Sequence, residues 1–310
     1  MNEQQSRIYK VLDYIHSNLN ENLPLDVLAE KSTYSSFHFH RLFAEVMQET
    51  PADYVKRVRL EKAAHMLIYE PHVSVTEIAY ECGFGSLSYF TTAFKDTFQN
   101  SPKAWREGGY LERFSKPYLH SKKSKQMSKN QKESGGENPY NQIQRLNLEK
   151  VTTVELPERT FVFAPHFGAY SEDIAETWEQ VYSWVKARNL LSANSMIIGL
   201  PQNNPYITPH DKCRYDCCIS IPGELSSSEQ AASVTIPGGR YVFYEFEEPV
   251  AYEDRQLLIE CYAEIYSIWL PRSGYRYLGN PVEIVQVEEV RGTLDLLCRI
   301  KSIALPIEPK

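Results

Sequence analysis

One pattern occurs twice in this chain, and that repeat limits its fold more than any other feature. Residues 28–54, LAEKSTYSSFHFHRLFAEVMQETPADY, align with residues 78–105, IAYECGFGSLSYFTTAFKDTFQNSPKAW. The offset is 50 residues before the turn in each copy and 51 after it. Ala29 corresponds to Ala79, Tyr34 to Phe84, Phe39 to Phe90, Phe43 to Phe94, and Thr50-Pro51 to Ser101-Pro102. In the second copy Phe90, Phe94 and Phe98 recur at helical spacing beside Ala93, which predicts one apolar stripe facing a core. A tight turn at Gly83-Phe84-Gly85 precedes that helix, and Ser86 opens it. Each copy therefore predicts a helix, a turn and a second helix.

The outward face of the second copy's last helix carries Leu87, Ser88, Thr91, Thr92 and Lys95. A helix that is merely wet carries Glu and Lys pairs. Short hydroxyls and methyls instead suit a DNA groove, where they reach base edges without clashing. In the first copy Phe39, Phe43 and Val46 are expected inward, leaving Ser36, Phe37, His40 and Arg41 outward. Phe37 can meet a thymine methyl or sugar edge, and Arg41 can fork onto guanine O6 and N7 for ~1–3 kcal/mol of discrimination. The plainer alternative packs Phe37 on a neighbouring helix and leaves Arg41 a surface cation. Thr50 caps, and Pro51 opens, a long helix to about Tyr69 that would bridge the copies. Its Lys56, Arg57, Arg59 and Lys62 are expected mostly as a solvated face. Two hairpins at that separation suit successive major-groove segments about 34 Å apart. An ordinary helical bundle with a duplicated hairpin is the alternative.

Both copies resemble the DNA-binding domain of the AraC/XylS family of transcription regulators. The second copy carries the denser match, in Ile78-Ala79, Cys82-Gly83-Phe84, Ser86, Tyr89-Phe90, Phe94-Lys95, Ser101-Pro102 and Trp105-Arg106. The resemblance covers about residues 8–106. It implies base-facing roles for Phe37, His40 and Arg41 in the first unit, and for Leu87, Ser88, Thr91 and Thr92 in the second. Ser36 belongs with the first set, and Lys95 and Arg106 are candidate phosphate contacts. The second set lacks Arg, Asn and Gln, so direct readout should fall to the first unit while the second reads methyls and shape.

At 310 residues the chain is long for one core and suits two domains. No transmembrane run or signal peptide is read, which predicts a cytoplasmic protein with no membrane partner. The formal net charge is −7. Residues 1–110 hold 11 basic against 14 acidic side chains, residues 111–145 hold 8 against 3, and residues 146–310 hold 14 against 23. A slightly acidic first domain departs from the usual basic footprint, so local placement of cations must carry phosphate attraction. Residues 109–147, rich in Lys, Ser and Gly, are expected as a flexible basic linker between a first domain at 1–108 and a second at 148–310. The six cysteines show no zinc-like spacing, and buried free thiols are expected rather than a metal site.

From residue 151 the pattern changes to strands and two helices. Strands are expected at 151–155, 161–164, 196–200, 215–221, 233–236, 240–246, 282–290 and 294–302. Helices are expected at 172–188, with Ile174, Trp178, Val181 and Val185 inward, and at 253–270, with Leu258, Cys261, Tyr262, Ile265 and Trp269 inward. The fold class is therefore multidomain: an all-α domain with two helix-turn-helix units, then an α+β domain. The latter is a duplicated strand-helix-strand-strand unit building an antiparallel sheet, with a cleft where its halves meet.

This second half, about residues 150–306, resembles the GyrI-like effector-binding domain. The matching marks are His166-Phe167-Gly168-Ala169-Tyr170, Ile236-Pro237-Gly238-Gly239-Arg240-Tyr241, Trp269-Leu270-Pro271, Ser273-Gly274-Tyr275 and Pro281-Val282-Glu283. The resemblance implies a central acid at Glu283 that faces bulky apolar or cationic ligands. A carboxylate among apolar strand neighbours needs a cation or hydrogen bonds, and Tyr170, Trp178, Tyr241 and Trp269 could offer faces for cation–π contact. Plain core packing is the alternative for these aromatics, above all for Trp178, and a surface strand position is the alternative for Glu283.

The expected function is a DNA-binding regulator of transcription whose second domain takes a small effector, with RNA polymerase as a further candidate partner. No nucleophile elbow, Ser/His/Asp grouping or cofactor motif is present, so no enzyme activity, cofactor or metal is expected. The competing readings make the second domain a hydrolase, with Glu283 as its base, or a module that sequesters another protein.

Overall fold

The computed structural model describes residues 3–110, 146–170, 173–205, 207–223, 232–252, 254–287 and 299–310. The expected basic linker falls mainly on residues 111–145, outside the described residues. Two compact units result, a helical one within Arg7–Gln144 and a sheet one within Arg145–Lys310.

The helical unit runs α1 (Glu3–Ser17), α2 (Leu25–Ser32), α3 (Ser36–Met47), α4 (Pro51–Tyr69), α5 (Val75–Glu81), α6 (Leu87–Phe98) and a short α7 (Pro102–Ala104). A π turn over Trp105–Gly109 follows. The sequence repeat is reproduced bond by bond. Tyr34 N–H donates to Ala29 O at 3.2 Å, and Phe84 N–H donates to Ala79 O at 2.9 Å. The residue before each is left-handed, Thr33 at φ 62° and Gly83 at φ 79°. Ser35 and Ser86 each cap the helix that follows, satisfying amides that have no partner within the helix. Gln48 and Gln99 close α3 and α6 at φ 53° and 58°. Thr50 and Ser101 then cap what comes next.

The first copy tolerates threonine at the left-handed position, whereas the second cannot. A Cβ at Gly83 would lie 2.2 Å from the Leu19 carbonyl oxygen. Beside that contact Arg59 donates from Nε to Leu19 O (2.9 Å) and from Nη2 to Glu21 O (2.5 Å). Arg57 forks onto Glu49 at 3.1 and 2.6 Å and reaches Glu61 at 3.0 Å. These two arginines of α4 were expected on a solvated face, and they instead tie the bridging helix to its surroundings. Val58, Leu60, Ala63, Ala64 and Leu67 of α4 are buried, as its apolar circumference predicts. Val46 is only half-buried, and Leu42 and Met47 take its place in the core with Phe39 and Phe43.

Burial pushes His65, on α4 beside the Tyr69 ring, down to about 4 from its ordinary 6.5. The folded domain thus holds this proton less readily than the unfolded chain. Its contribution to stability is complete above about pH 6.5 and is lost as pH falls toward 4, at up to about 1.4 kcal/mol per unit. Urea unfolding of His65→Gln should show a flatter pH dependence across that window than the parent. An unchanged slope would assign the loss to other groups.

The sheet unit contains β1 (Thr152–Leu156), β2 (Arg159–Phe167), α8 (Ile174–Ala187), β3 (Ile197–Pro201), β4 (Arg214–Ser220), β5 (Ala232–Ile236) and β6 (Gly239–Ala251). Then come α9 (Arg255–Glu264), a π turn (Ile265–Trp269), α10 (Leu270–Ser273), β7 (Tyr275–Tyr277), β8 (Val282–Gln286) and β9 (Arg299–Pro309). The strands pair antiparallel in the order β1-β6-β9-β8-β3-β4-β2-β5, with β7 against β9. That order is symmetric about the β3–β8 pair, as a duplicated unit requires. The symmetry includes an exchange, because β1 pairs with β6 of the second repeat and β5 with β2 of the first.

Two details depart from the sequence reading. The helix expected over 253–270 breaks into α9, a π turn and α10. Pro271 has no N–H to donate and its ring crowds the preceding turn, and a widened turn accommodates both. The last strand runs to Pro309, and its buried side chains include Ile303, Leu305 and Ile307. The stretch 288–298, read as a strand end, a turn and a strand start, lies outside the described residues. All five described cysteines are buried, and burial pushes the Cys82 thiol up to about 12.

Candidate functional site

In the helical unit the residues expected to face a duplex lie on two equivalent helices. Ser35 anchors the start of α3, so Phe37, His40 and Arg41 project from its first turns, and all three are exposed. Phe37 is 81% exposed, which removes the alternative in which it packs on a neighbouring helix. Ser36 is half-buried. On α6, Leu87, Ser88, Thr92 and Lys95 are exposed and Thr91 is half-buried. Tyr89, 56% exposed, extends this face and was not among the expected residues. Arg106 is half-buried. Its Nη2 donates to the Val73 carbonyl at 2.6 Å, so the guanidinium also ties the π turn to the loop before α5. The helix α4 between the copies has 19 residues, a length of about 28 Å at the α-helical rise.

In the sheet unit the centre is Glu283, on β8 where the two repeats meet. It stands opposite Gly199 of β3 and Ile303 of β9, and it is fully buried. Four donors meet its carboxylate. Tyr215 donates to Oε2 at 2.6 Å and Tyr262 to Oε1 at 2.8 Å. Arg255 forks onto both oxygens, Nη1 to Oε2 at 3.0 Å and Nη2 to Oε1 at 2.9 Å. An ionised carboxylate offers about four lone-pair directions, so this one is saturated. The surface-strand alternative for Glu283 is thereby removed.

Gly199 makes the arrangement possible. A Cβ there would fall 1.6 Å from the Tyr215 hydroxyl oxygen, so the missing side chain is the space through which Tyr215 reaches Glu283. Behind Tyr215 the bonds run in one direction. Trp178 Nε1 donates to the Tyr252 hydroxyl at 3.2 Å, and the Tyr252 and Tyr215 oxygens are 2.8 Å apart. Since the Tyr215 proton is committed to Glu283, Tyr252 must be the donor between the two tyrosines. Such a chain polarises each bond in turn.

Arg255 opens α9 and lies over three rings, with its guanidinium carbon 5.2 Å from the Tyr170 centroid, 5.4 Å from Tyr215 and 5.5 Å from Tyr252. Burial opposes its charge, but Glu283 outweighs that, aided by Tyr215, Tyr262 and Tyr252, and its pKa is raised. Desolvation raises the pKa of Tyr170, Tyr215 and Tyr262 well above the ordinary phenol value, which keeps them protonated as donors. The Tyr170 hydroxyl donates to Arg214 O at 2.8 Å and accepts from Asn203 N–H at 3.1 Å, which fixes its ring beside Arg255.

Of the four aromatics expected around Glu283, Tyr170 lines the Arg255 cage and Trp178 ends the hydrogen-bonded chain. Tyr241 donates to its own loop at Pro237 O, 2.9 Å away. Trp269, expected inward, is half-exposed and stacks flat on Tyr275 with centroids 6.3 Å apart. Neither of these two belongs to the network around the acid. The π turn ahead of Pro271 changes the helical phase on which Trp269's inward placement rested. Sequence reasoning missed Arg255, Tyr215, Tyr252 and Gly199. Tyr262 was placed inward but not tied to Glu283.

A duplicated helix-turn-helix domain joined to a pseudo-symmetric sheet domain with a buried acid at its centre defines a two-domain protein. Residues 28–108 match the helix-turn-helix domain family, and residues 149–296 match the GyrI-like small molecule binding domain family. The first match supports an AraC-type DNA-binding domain in the first half of the chain, and the second a GyrI-like domain in the second half. The chain is similar to the HTH-type transcriptional activator RhaS of Yersinia pestis (strain Pestoides F), 38% identical over 104 residues. That match covers 34% of this chain and 38% of the relative's length. Among solved structures it is similar to the C-terminal domain of the two-component response regulator yesN from Fusobacterium nucleatum. There the identity is 31% and the TM-score 0.30, over 31% of this chain and 93% of that one. It is also similar to the DNA-binding domain of AdpA in complex with a target DNA, at 25% identity and TM-score 0.32, over 36% of this chain and 96% of that one.

Proposed function

We propose that this chain is a sequence-specific, DNA-binding regulator of transcription whose second domain binds a small molecule at the Glu283 centre. The observation that carries the reading is the paired exposure of α3 and α6 side chains at equivalent places in two copies of one hairpin. Short polar groups, an exposed phenylalanine and an unburied arginine are a poor choice for a face that only meets water, and a good one for base edges. The RhaS relative, described as a transcriptional activator, supports the same reading. In this proposal residues 1–108 hold the duplex, residues 148–310 hold the effector, and the basic stretch between them connects the two. The chain works in the cytoplasm, and RNA polymerase is the partner proposed for its DNA-bound form.

A hydrolytic role that uses Glu283 as a base receives less support. All of its acceptor directions are occupied and its nearest cation is a fixed arginine, whereas a general base needs a free lone pair within reach of the proton it takes.

Selection of duplexes from a random pool by the full chain should yield a defined operator. Against that operator Arg41→Ala should lose ~1–3 kcal/mol and relax preference at one base pair, while the other positions keep theirs. A uniform loss across all positions would recast Arg41 as a phosphate contact. No enrichment of any sequence would refute the proposal.

A further inference from the structure

The two hairpins differ at one point of their otherwise matched turns, and an arginine stands at that point in each. In the first copy Arg7, from α1, donates from Nη1 to the Thr33 hydroxyl and lies over the Tyr34 ring at 5.2 Å. It thereby holds the turn it faces. In the second copy the place of Thr33 is taken by Gly83, which offers no side chain to hold. Arg59, from α4, passes close over that glycine, where a Cβ would come 2.8 Å from its Nε and its guanidinium carbon. Beyond the glycine it donates from Nε to Leu19 O at 2.9 Å and from Nη2 to Glu21 O at 2.5 Å. Those carbonyls belong to the loop that leads into the first hairpin, separated from α2 by Asn22, Leu23 and Pro24.

Both donors lie on one edge of the guanidinium, so the loop is held at two points by a planar group. Hydrogen bonds from a charged donor are about twice as strong as neutral ones. Further neighbours of Arg59 come from the second hairpin. Burial lowers its pKa, and the Cys82 and Tyr89 side chains act against that. Leu19 O would lie 2.2 Å from a Cβ on Gly83, so the entry loop of one hairpin rests directly on the turn of the other. Arg59 stands where the two bear on each other.

We infer that Arg59, bedded on Gly83, is a positioning residue that fixes the angle between the two hairpins, and so sets which separation of half-sites the protein accepts. This rests on the reading of α3 and α6 as the DNA-facing helices, and adds what holds them in register. One base pair added to or taken from the stretch between half-sites turns one against the other by about 35°. A held pair of hairpins cannot follow that turn, and the duplex must twist to meet it. A loosened pair can follow it.

The test uses the operator selected by the parent, with versions one base pair longer and one shorter between its half-sites. Fluorescence anisotropy titrations compare the full chain with its Arg59→Ala, Arg59→Lys and Gly83→Ala variants. The parent should prefer its own spacing by about tenfold or more, and Arg59→Ala should bind that spacing more weakly and keep a preference of about threefold or less. Arg59→Lys keeps the charge but loses the two-donor edge, so it should fall between them, and it decides the question alone if Arg59→Ala does not fold. Gly83→Ala retains the guanidinium but forces Leu19 O and Arg59 away from the turn, and it too should lose the preference. A full preference for spacing in the variants, or an equal loss at all three spacings, would overturn the role of Arg59 while leaving DNA binding standing. So would a parent indifferent to spacing. Failure to select any operator would overturn both readings.

Discussion

Glu283→Ala should destabilise the sheet domain by about 3–5 kcal/mol, the range for breaking a buried ion pair on one side. The loss follows from what remains. Arg255, 11% exposed at its side chain, would keep its charge among three tyrosine rings with no anion to meet it. Tyr215 and Tyr262 would each lose the acceptor of a hydroxyl that burial keeps protonated. Each such orphaned group costs ~1–3 kcal/mol by itself, and the terms overlap because one carboxylate serves all of them. Glu283→Gln retains the shape and one acceptor but loses the charge, so it should fall between the parent and alanine. Removing both charges, as in Arg255→Met with Glu283→Leu, should recover the part of the loss due to the unmet arginine charge, while the part due to the Tyr215 and Tyr262 hydroxyls remains. Urea unfolding followed by Trp178 fluorescence reads all four proteins. A loss under ~1 kcal/mol for Glu283→Ala would mean that the network contributes little to holding the domain together.

Much of this architecture was legible in the residues, though unevenly. The two hairpins could be read because short-range chemistry specifies them. Serine caps, four-residue apolar spacing and a left-handed residue before Tyr34 and Phe84 act within a few positions of one another. The acid could be read as central because Glu283 sits among Val282, Ile284 and Val285 in a strand. Its partners could not be found the same way. Tyr215 is 68 positions away and Arg255 is 28 away, and the folded sheet and α9 bring them to one point. Arg255 follows an aspartate at a helix start, where a cation reads as solvated. Gly199 reads as one more strand residue until the Tyr215 hydroxyl is seen in the place of its absent side chain. Tyr241 and Trp269 show the limit of reading proximity from sequence. Aromatic residues near a motif suggested a shared pocket, yet Tyr241 bonds back to Pro237 and Trp269 stacks on Tyr275.

Trp105→Ala should cost the helical domain about 3–5 kcal/mol, the range for emptying a large buried aromatic site. Trp105 has no exposed surface. It packs against Phe98 at 4.8 Å and edge-on to Phe94 at 5.8 Å between ring centroids, and its Nε1 donates to Ala64 O on α4 at 3.1 Å. It therefore joins the end of α6 to the middle of the bridging helix, and its loss loosens the spacing of the two hairpins as well as the core. Trp105→Phe, which keeps a ring but not the N–H, should lose less. The 222 nm circular dichroism signal in urea measures both variants. Operator affinity of Trp105→Ala, measured below its unfolding range, should drop although Trp105 is too deeply buried to touch DNA. Full affinity in a destabilised Trp105→Ala would show that the spacing of α3 and α6 does not depend on this contact.

The most direct test of the account is methylation protection of guanine N7 on the selected operator at one chain per duplex. Two hairpins separated by α4 predict two protected major-groove clusters on one face of the DNA, about ten base pairs apart. Protection of the guanine read by Arg41 should be lost in Arg41→Ala while the cluster under α6 persists. A single protected cluster, or a pair that appears only with two chains bound, would contradict it.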